Sequence, residues 1–316
     1  MSTIIIDRSV KNNYFVAMAK TVLVTGASRG VGEATARLFA EKGWQVAATA
    51  RIPDRLGSWA RASNVAAVKL DVTDPESIRL AVDAIEQRFG PIDVLVNNAG
   101  AGLGGPIEGV TRGDLLKLFD LNLFGLVWTM QAVLPSMRRR SAGIIVNVSS
   151  AAGRIGFPFL APYCSSKYAV EGLTEAMSYE LAPFGIHAKL VESGGVRTSF
   201  THSWTQNAAY EPLSTASYDR YALGLQKSAG PEGVADAIFR ASTDGKSRLR
   251  YTANGARAFL SLNRLLPESV WRRIVRRSMP KTARYHDSYD TYRSRQVWVA
   301  KSGKLSETQR MRRLNP

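Results

Sequence analysis

The chain has 316 residues, is 45% hydrophobic and 22% charged, and carries 42 Lys and Arg against 26 Asp and Glu for a formal net charge of +16. This is ordinary globular composition, enough for one large domain or two of about 100–200 residues each, and it excludes a disordered chain, a collagen-like repeat and a coiled coil. A single cysteine, Cys164, and three scattered histidines, His187, His202 and His286, leave no disulfide framework and no cysteine zinc site, and no metal is expected.

Residues 1–19 show no pattern that joins them to the rest of the chain and are read as an N-terminal extension. Their apolar stretch, Ile4 to Ile6, is cut by Asp7 and is shorter than the apolar region of a secretory signal. Met18, just ahead of the first strand, is an alternative start. No uninterrupted apolar run approaches the 18 or more residues of a membrane-spanning helix, and the protein is expected to be cytoplasmic. From Lys20 onward short β-branched runs alternate with amphipathic stretches, which predicts βαβ units and a parallel sheet. The predicted strands are Thr21–Thr25, Gln45–Ala50, Ala66–Leu70, Val94–Asn97, Ile144–Val148 and His187–Glu192, and Glu33–Lys42 is the first helix, ended by Gly43. Between Asp114 and Met137 apolar residues surround most of a helix. Such a helix needs cover on two sides, one from the sheet and the other from a partner. Residues 198–227 break the rhythm, being polar but interleaved with Phe200, Trp204, Tyr210, Tyr218 and Tyr221. An irregular segment of that length in a compact domain is usually functional.

The charge is uneven. From Lys246 to Pro316 there are 18 basic residues against 4 acidic, whereas the preceding 245 residues hold 24 against 22. Residues 280–316 form a basic tail, read as a solvated appendage, with nucleic-acid binding as the other reading of such a charge. Ser269 to Met279 (SVWRRIVRRSM) is a short helix with Trp271, Ile274 and Val275 opposite four arginines. It is expected to pack its apolar stripe on the domain, the alternative being weak contact with an anionic membrane surface.

Directly after the first strand comes Thr25-Gly26-Ala27-Ser28-Arg29-Gly30-Val31-Gly32. A glycine-rich turn between strand and helix lets backbone approach a pyrophosphate, and the helix N-terminus offers free amides and a positive dipole end. Sites for NAD place Asp or Glu about 20 residues downstream, at the end of the second strand. Here Ala50 and Arg51 occupy that position, and the turn itself carries Arg29. Two guanidinium groups suit a ribose 2′-phosphate, so NADP(H) is the expected cofactor; Asp54, after Pro53, is the rival ribose ligand.

Tyr163 and Lys167 are four apart and share one helix face. A phenol of pKa about 10 is a poor acid-base catalyst at neutral pH. A neighbouring ammonium, with the positive ring of an oxidised nicotinamide, is expected to lower that value. Ser150, 13 residues earlier at the end of the fifth predicted strand, has a hydroxyl that can hold a substrate oxygen while Tyr163 exchanges a proton with it. Ser149, Ser165, Ser166 and Asn147 are read as ordinary structural residues, with Asn147 near the sheet edge, and Cys164 as packed rather than reactive.

Taken together, the turn T-G-A-S-R-G-V-G, Asp71-Val72, Asn97-Asn98-Ala99-Gly100, Asn122 in D-L-N-L-F-G, Ser150 and Tyr163-x-x-x-Lys167 make residues 20–279 resemble the short-chain dehydrogenase/reductase family. The resemblance implies one doubly wound parallel-sheet Rossmann domain with a substrate lid. It further implies that Asp71 and Val72 flank the adenine, that Asn98, Ala99 and Gly100 line the cofactor, that Asn122 holds a water relaying protons to Lys167, and that Lys167 also holds the nicotinamide ribose. The family's Pro-Gly after the sixth strand is replaced by Ser193-Gly194, which is expected to loosen a rigid turn; Thr198 keeps its place as a cofactor contact. The segment GFPFLAPYCSSKYAVEGL, residues 156–173, is similar to the hydroxysteroid and retinol dehydrogenase branch, implying a bulky apolar ketone or alcohol. The competing expectation is a non-catalytic NADP-binding scaffold that uses its basic tail to hold a partner or nucleic acid.

Overall fold

A computed structural model describes residues 19–200 and 202–280. Most of the expected N-terminal extension, the tail from residue 281 and His286 lie outside the described residues.

In chain order the elements are β1 (Thr21–Val24), α1 (Gly30–Glu41), β2 (Gln45–Ala50), β3 (Val65–Lys69), α2 (Pro75–Phe89), β4 (Val94–Asn97), β5 (Gly102–Gly104), α3 (Arg112–Phe119), α4 (Gly125–Arg140), β6 (Gly143–Ser150), α5 (Ala161–Leu181), β7 (Ile186–Ser193), β8 (His202–Trp204), α6 (Leu213–Gln226), α7 (Glu232–Thr243), β9 (Arg250–Ala253), α8 (Ala256–Leu265) and α9 (Glu268–Ser278). Seven strands form one parallel sheet in the order β3-β2-β1-β4-β6-β7-β9. Its central strands are near-continuous apolar runs because both faces are covered. On one face Phe39, Val234 and Ile238 from α1 and α7 close the core; on the other Ile78, Val82, Met130, Val133 and Val170 from α2, α4 and α5 do so.

Four features depart from the sequence pattern. The first helix begins at Gly30, three residues ahead of Glu33, because the glycine turn itself enters the helix. A seventh strand, β9, is too short and too polar (Arg-Tyr-Thr-Ala) to show a strand period, yet it pairs with β7 from Leu190↔Arg250 to Ser193↔Ala253. The irregular segment contains β8, which pairs with β5, and the helix α6. Asn147 is central rather than at a sheet edge: its Oδ1 accepts from Asn97 Nδ2 at 2.9 Å, and its Nδ2 donates to Thr174 Oγ1 at 2.9 Å.

The apolar helix is longer than its strand-to-strand span requires. α3 continues through a π-turn at Asp120–Phe124 into α4 as a single 29-residue helix, Arg112–Arg140. By length and composition it could cross a membrane, although no uninterrupted apolar run of that length exists. Its inner side is buried in the core through Leu126, Met130, Val133 and Met137, while Leu116 and Phe124 are exposed.

β9 is fastened to the body by charge. Arg250 reaches Glu171 at 3.1 Å, Glu175 at 2.6 Å and Glu192 at 3.4 Å, and Arg154 adds a second contact to Glu192 at 2.9 Å. The Glu171 and Glu192 side chains are only 5% and 3% exposed; burial first, and then Glu171, push the Glu192 carboxyl above its ordinary pKa. Removing one partner of a buried ion pair costs about 3–5 kcal/mol, because a charge is left without compensation. Arg250→Met is therefore expected to lower Tm by roughly 10 °C; a calorimetric Tm within a degree of wild type would show the cluster to be unimportant for stability.

Candidate active site

The carboxyl ends of β1, β4, β6 and β7 open onto one cavity of about 580 Å3. This is where a doubly wound sheet leaves a crevice for ligands, at the point where strand order reverses. The turn after β1 is built for close approach. Gly26 has φ +68°, and a Cβ there would lie 3.0 Å from the Ala99 Cα, while at Gly32 it would strike the Gly26 carbonyl oxygen. Thr25 Oγ1 accepts from the amides of Asn98 (2.9 Å) and Ala99 (3.0 Å), and Asn98 Nδ2 donates back to the Thr25 carbonyl at 2.9 Å. The α1 N-terminus has no side-chain cap, so its first amides are available to an anion.

Nearly every residue expected to touch a cofactor lines this cavity: Gly26, Ser28, Arg29, Gly30, Arg51, Asp71, Val72, Asn98, Ala99, Gly100, Tyr163, Lys167 and Thr198. Gly32 does not line it, but supports the turn from behind. Arg29 and Arg51 are exposed, and among the described residues neither guanidinium has an ion-pair partner. Asp54 is exposed in a 3-10 turn at Pro53–Arg55 and is not part of the lining. Asp71, in the cavity lining, accepts from the Thr73 amide and hydroxyl through Oδ1, at 3.0 and 2.8 Å.

Ser150, Tyr163 and Lys167 come together at the floor. The Ser150 hydroxyl favours the ionised form of the Tyr163 phenol; it donates to the Ser193 carbonyl at 3.5 Å and accepts from the Ala152 amide at 3.2 Å. Lys167 Nζ donates to the Val148 carbonyl at 3.0 Å and lies 6.0 Å from the centre of the Tyr163 ring. Burial pushes the phenol up to about 12 against the opposing pull of Ser150, and the same burial draws Lys167 down to about 8 against the opposing carboxylate of Glu171. The expected lowering of the phenol is thus absent in the protein alone: desolvation sets the direction of its shift, and Lys167 is itself destabilised as a cation. An ammonium has three donors, and only one is used within the described residues. Two remain for ribose hydroxyls, so the site fits a nicotinamide nucleotide.

Asn122 sits apart from the cavity wall, 2% exposed on the π-turn. Its Oδ1 accepts from the Ala101 amide at 2.8 Å, and its Nδ2 donates to the Ala101 carbonyl (2.9 Å) and to Ser166 Oγ (3.0 Å). The side chain clamps the loop after β4 onto α5. The turn after β7 is held despite its missing proline. Ser193 ends the β7–β9 ladder, and the Gly194 amide donates to the Ala253 carbonyl at 3.1 Å. Thr198 packs beside Gly30. Cys164 is packed, as expected, with Sγ accepting from the Phe157 amide.

Two wall residues are not foreseen in these positions. His202, read only as an isolated histidine, stands edge-on to Tyr163 with ring centroids 4.8 Å apart. The Tyr221 hydroxyl and His202 Nδ1 share a hydrogen bond at 2.8 Å. Burial lowers the imidazole to about 4, keeping it neutral. It fits because β8 runs beside Gly102, which has no side chain to block the ring. Phe259 on α8 is the other, stacked on Phe157 at 5.7 Å. Neither position had a motif to announce it, since both depend on strand pairing and helix docking far away in sequence.

A family model described as short chain dehydrogenase matches residues 20–209. The chain belongs to the short-chain dehydrogenase family. The uncharacterized oxidoreductase YusZ of Bacillus subtilis is 36% identical over 277 residues, covering 82% of this chain and 98% of its own. Human 17-beta-hydroxysteroid dehydrogenase type 1 is 35% identical over 256 residues, 74% of this chain and 77% of that one. A solved short-chain dehydrogenase from Streptomyces avermitilis superposes with a TM-score of 0.72 at 35% identity, covering 82% of this chain and 99% of the other. Solved structures of similar fold include ElxO with NADP bound, 29% identical with a TM-score of 0.63, and a short-chain dehydrogenase/reductase of Burkholderia phymatum in complex with NAD, 24% identical with a TM-score of 0.70.

The floor geometry makes Tyr163 replaceable only at the expense of proton transfer. Tyr163→Phe is expected to reduce kcat by about 10²–10⁴-fold, with nucleotide binding by fluorescence titration unchanged. Lys167→Ala should weaken binding and rate together. A Tyr163→Phe variant with near-normal kcat would contradict the assignment.

Proposed function

We propose that this short-chain dehydrogenase uses NADP(H) to interconvert a bulky apolar ketone or aldehyde and the corresponding alcohol. The observation that carries the cofactor reading is the pair of unpartnered guanidiniums, Arg29 and Arg51, at the cavity rim, with Ala50 where a carboxylate would serve NAD. The substrate reading rests on the walls, where Phe157, Leu160, Phe200, Tyr221, Leu225 and Phe259 surround the floor. It also draws on relatives named as 17-beta-hydroxysteroid dehydrogenase and retinol dehydrogenase.

In the reductive direction Ser150 Oγ holds the carbonyl oxygen, and Tyr163 gives its phenolic proton to that oxygen as the alcohol forms. The bound nicotinamide supplies the hydride to the carbonyl carbon. Lys167 would hold the ribose and stabilise the phenolate left behind, and solvent would restore the phenolic proton. In oxidation each transfer reverses. A scaffold without catalysis has no need of a phenol and an ammonium buried at the cavity floor, so the enzyme reading is preferred.

Turnover is tested by following NADPH absorbance with a panel of aliphatic, steroidal and retinoid carbonyls; no turnover on any of them opposes the enzyme reading. Cofactor choice gives a sharper expectation. A hydrogen bond to a charged group contributes about 1.5–3 kcal/mol, so Arg51→Ala should weaken NADPH binding by roughly ten- to a hundredfold and leave NADH nearly unchanged. Arg29→Ala should do less, and Ala50→Asp should shift preference toward NADH. Equal binding of NADH and NADPH by wild type, or equal loss of both in Arg51→Ala, contradicts the reading.

Assembly follows from the long apolar helix, whose exposed Leu116 and Phe124 call for a second subunit. Light scattering at micromolar concentration is expected to show a homodimer or homotetramer; a clean monomer counts against it.

A further inference from the structure

The α8–α9 segment is amphipathic in two complementary ways. On α8, Ala256 and Phe259 face inward and line the cavity. Ala258, Leu262 and Leu265, at positions i, i+4 and i+7, form one stripe on the opposite side. All three are exposed, Leu262 at 46% and Leu265 at 80%. Arg257 and Arg264 border the stripe on one flank. On α9, Trp271 is buried edge-on to Phe259 at 5.1 Å, which fixes the helix on the domain. Arg272, Arg273 and Arg277 are exposed around its outer side, with Ile274, 41% exposed, beside them. From Ala256 to Ser278 there are six arginines and one carboxylate, Glu268, which Arg272 engages at 3.3 Å. Packing alone therefore accounts for Trp271, but not for an apolar stripe left in water next to a cationic rim.

We infer that the outer face of α8–α9 docks on an anionic phospholipid membrane. The leucine stripe enters the headgroup boundary and the arginines meet lipid phosphates, the combination that holds an interfacial helix. A soluble acidic partner or a nucleic acid would satisfy the arginines but leave Leu262 and Leu265 exposed. Since the inner side of α8 walls the cavity, docking sets the cavity beside the apolar layer from which a lipophilic substrate partitions. That last consequence rests on the proposed substrate class, whereas the docking itself needs neither cofactor nor turnover and is read without them.

The test is co-sedimentation of the full chain with vesicles of phosphatidylcholine alone and of phosphatidylcholine with phosphatidylglycerol, at physiological salt. The expected result is binding to the anionic vesicles and little to the neutral ones. The double variant Leu262→Asp, Leu265→Asp should weaken that binding by at least about tenfold, as should Arg273→Glu with Arg277→Glu. Unchanged NADPH binding and far-UV circular dichroism certify that each variant is folded. Any of these results overturns the proposal: no binding to anionic vesicles, leucine variants that bind as wild type (attraction by charge alone), or leucine variants whose main effect is a change of oligomeric state. Binding to duplex DNA that equals vesicle binding and ignores the leucines also overturns it.

Discussion

Everything in the site depends on holding two ionisable groups, a phenol and an ammonium, on one face of a buried helix. Tyr163 and Lys167 are neighbours across a single turn of α5, Lys167 buried and Tyr163 half-buried at the cavity floor. Desolvation works against each charged form, so the phenol rises to about 12 and the ammonium falls to about 8. In this condition Tyr163 is firmly a proton holder. It becomes a proton donor with a stable conjugate base only when further positive charge and polar partners enter the cavity. Lys167, with a single acceptor at the Val148 carbonyl, is left open to such partners. The protein alone is thus set up to be switched on by what it binds.

The parallel sheet provides the platform for that pair. A carboxyl-end crevice gathers the tips of β1, β4, β6 and β7 without needing long loops; Thr25 and Asn98 lock the tips of β1 and β4 together, and Asn122 ties the loop after β4 to α5. α5 is anchored from behind by Asn147 through Thr174, and by Arg250 through Glu171. These side chains are tolerable when buried because each makes at least one hydrogen bond or ion pair, and those bonds fix one register of helix on sheet. The wall opposite is of another kind. Aromatic rings from β8, α6 and α8 close it, and the neutral His202–Tyr221 pair is its polar element nearest the Tyr163 ring.

The sequence displays the parts of this arrangement that are local. A strand running into glycines, an i, i+4 pair and an alternation of strands and helices are all short-range patterns, and the structure brings Gly26, Ser150, Tyr163 and Lys167 to one cavity accordingly. What depends on distant pairing is invisible at that level. β9 carries four residues and an arginine, and it becomes a strand only because β7 offers an open edge and Glu171 and Glu192 hold its arginine. His202 becomes a wall residue only because β8 finds β5 at Gly102. The missing proline after β7 looks like a loosened turn until β9 is seen to hold Gly194. The phenol's raised pKa is likewise a property of burial, which residue spacing does not reveal.

The central claim is that burial keeps Tyr163 protonated until the oxidised nucleotide is bound. Ultraviolet difference titration of tyrosinate, taken as wild type minus Tyr163→Phe, measures this directly with and without saturating NADP+. The account predicts no Tyr163 ionisation below about pH 11 in the free protein and a transition lowered by two or more units in the complex, since an added positive charge within a few ångströms shifts a buried group by about that much. A Tyr163 transition at the same pH in both forms, or one near pH 10 in the free protein, contradicts it.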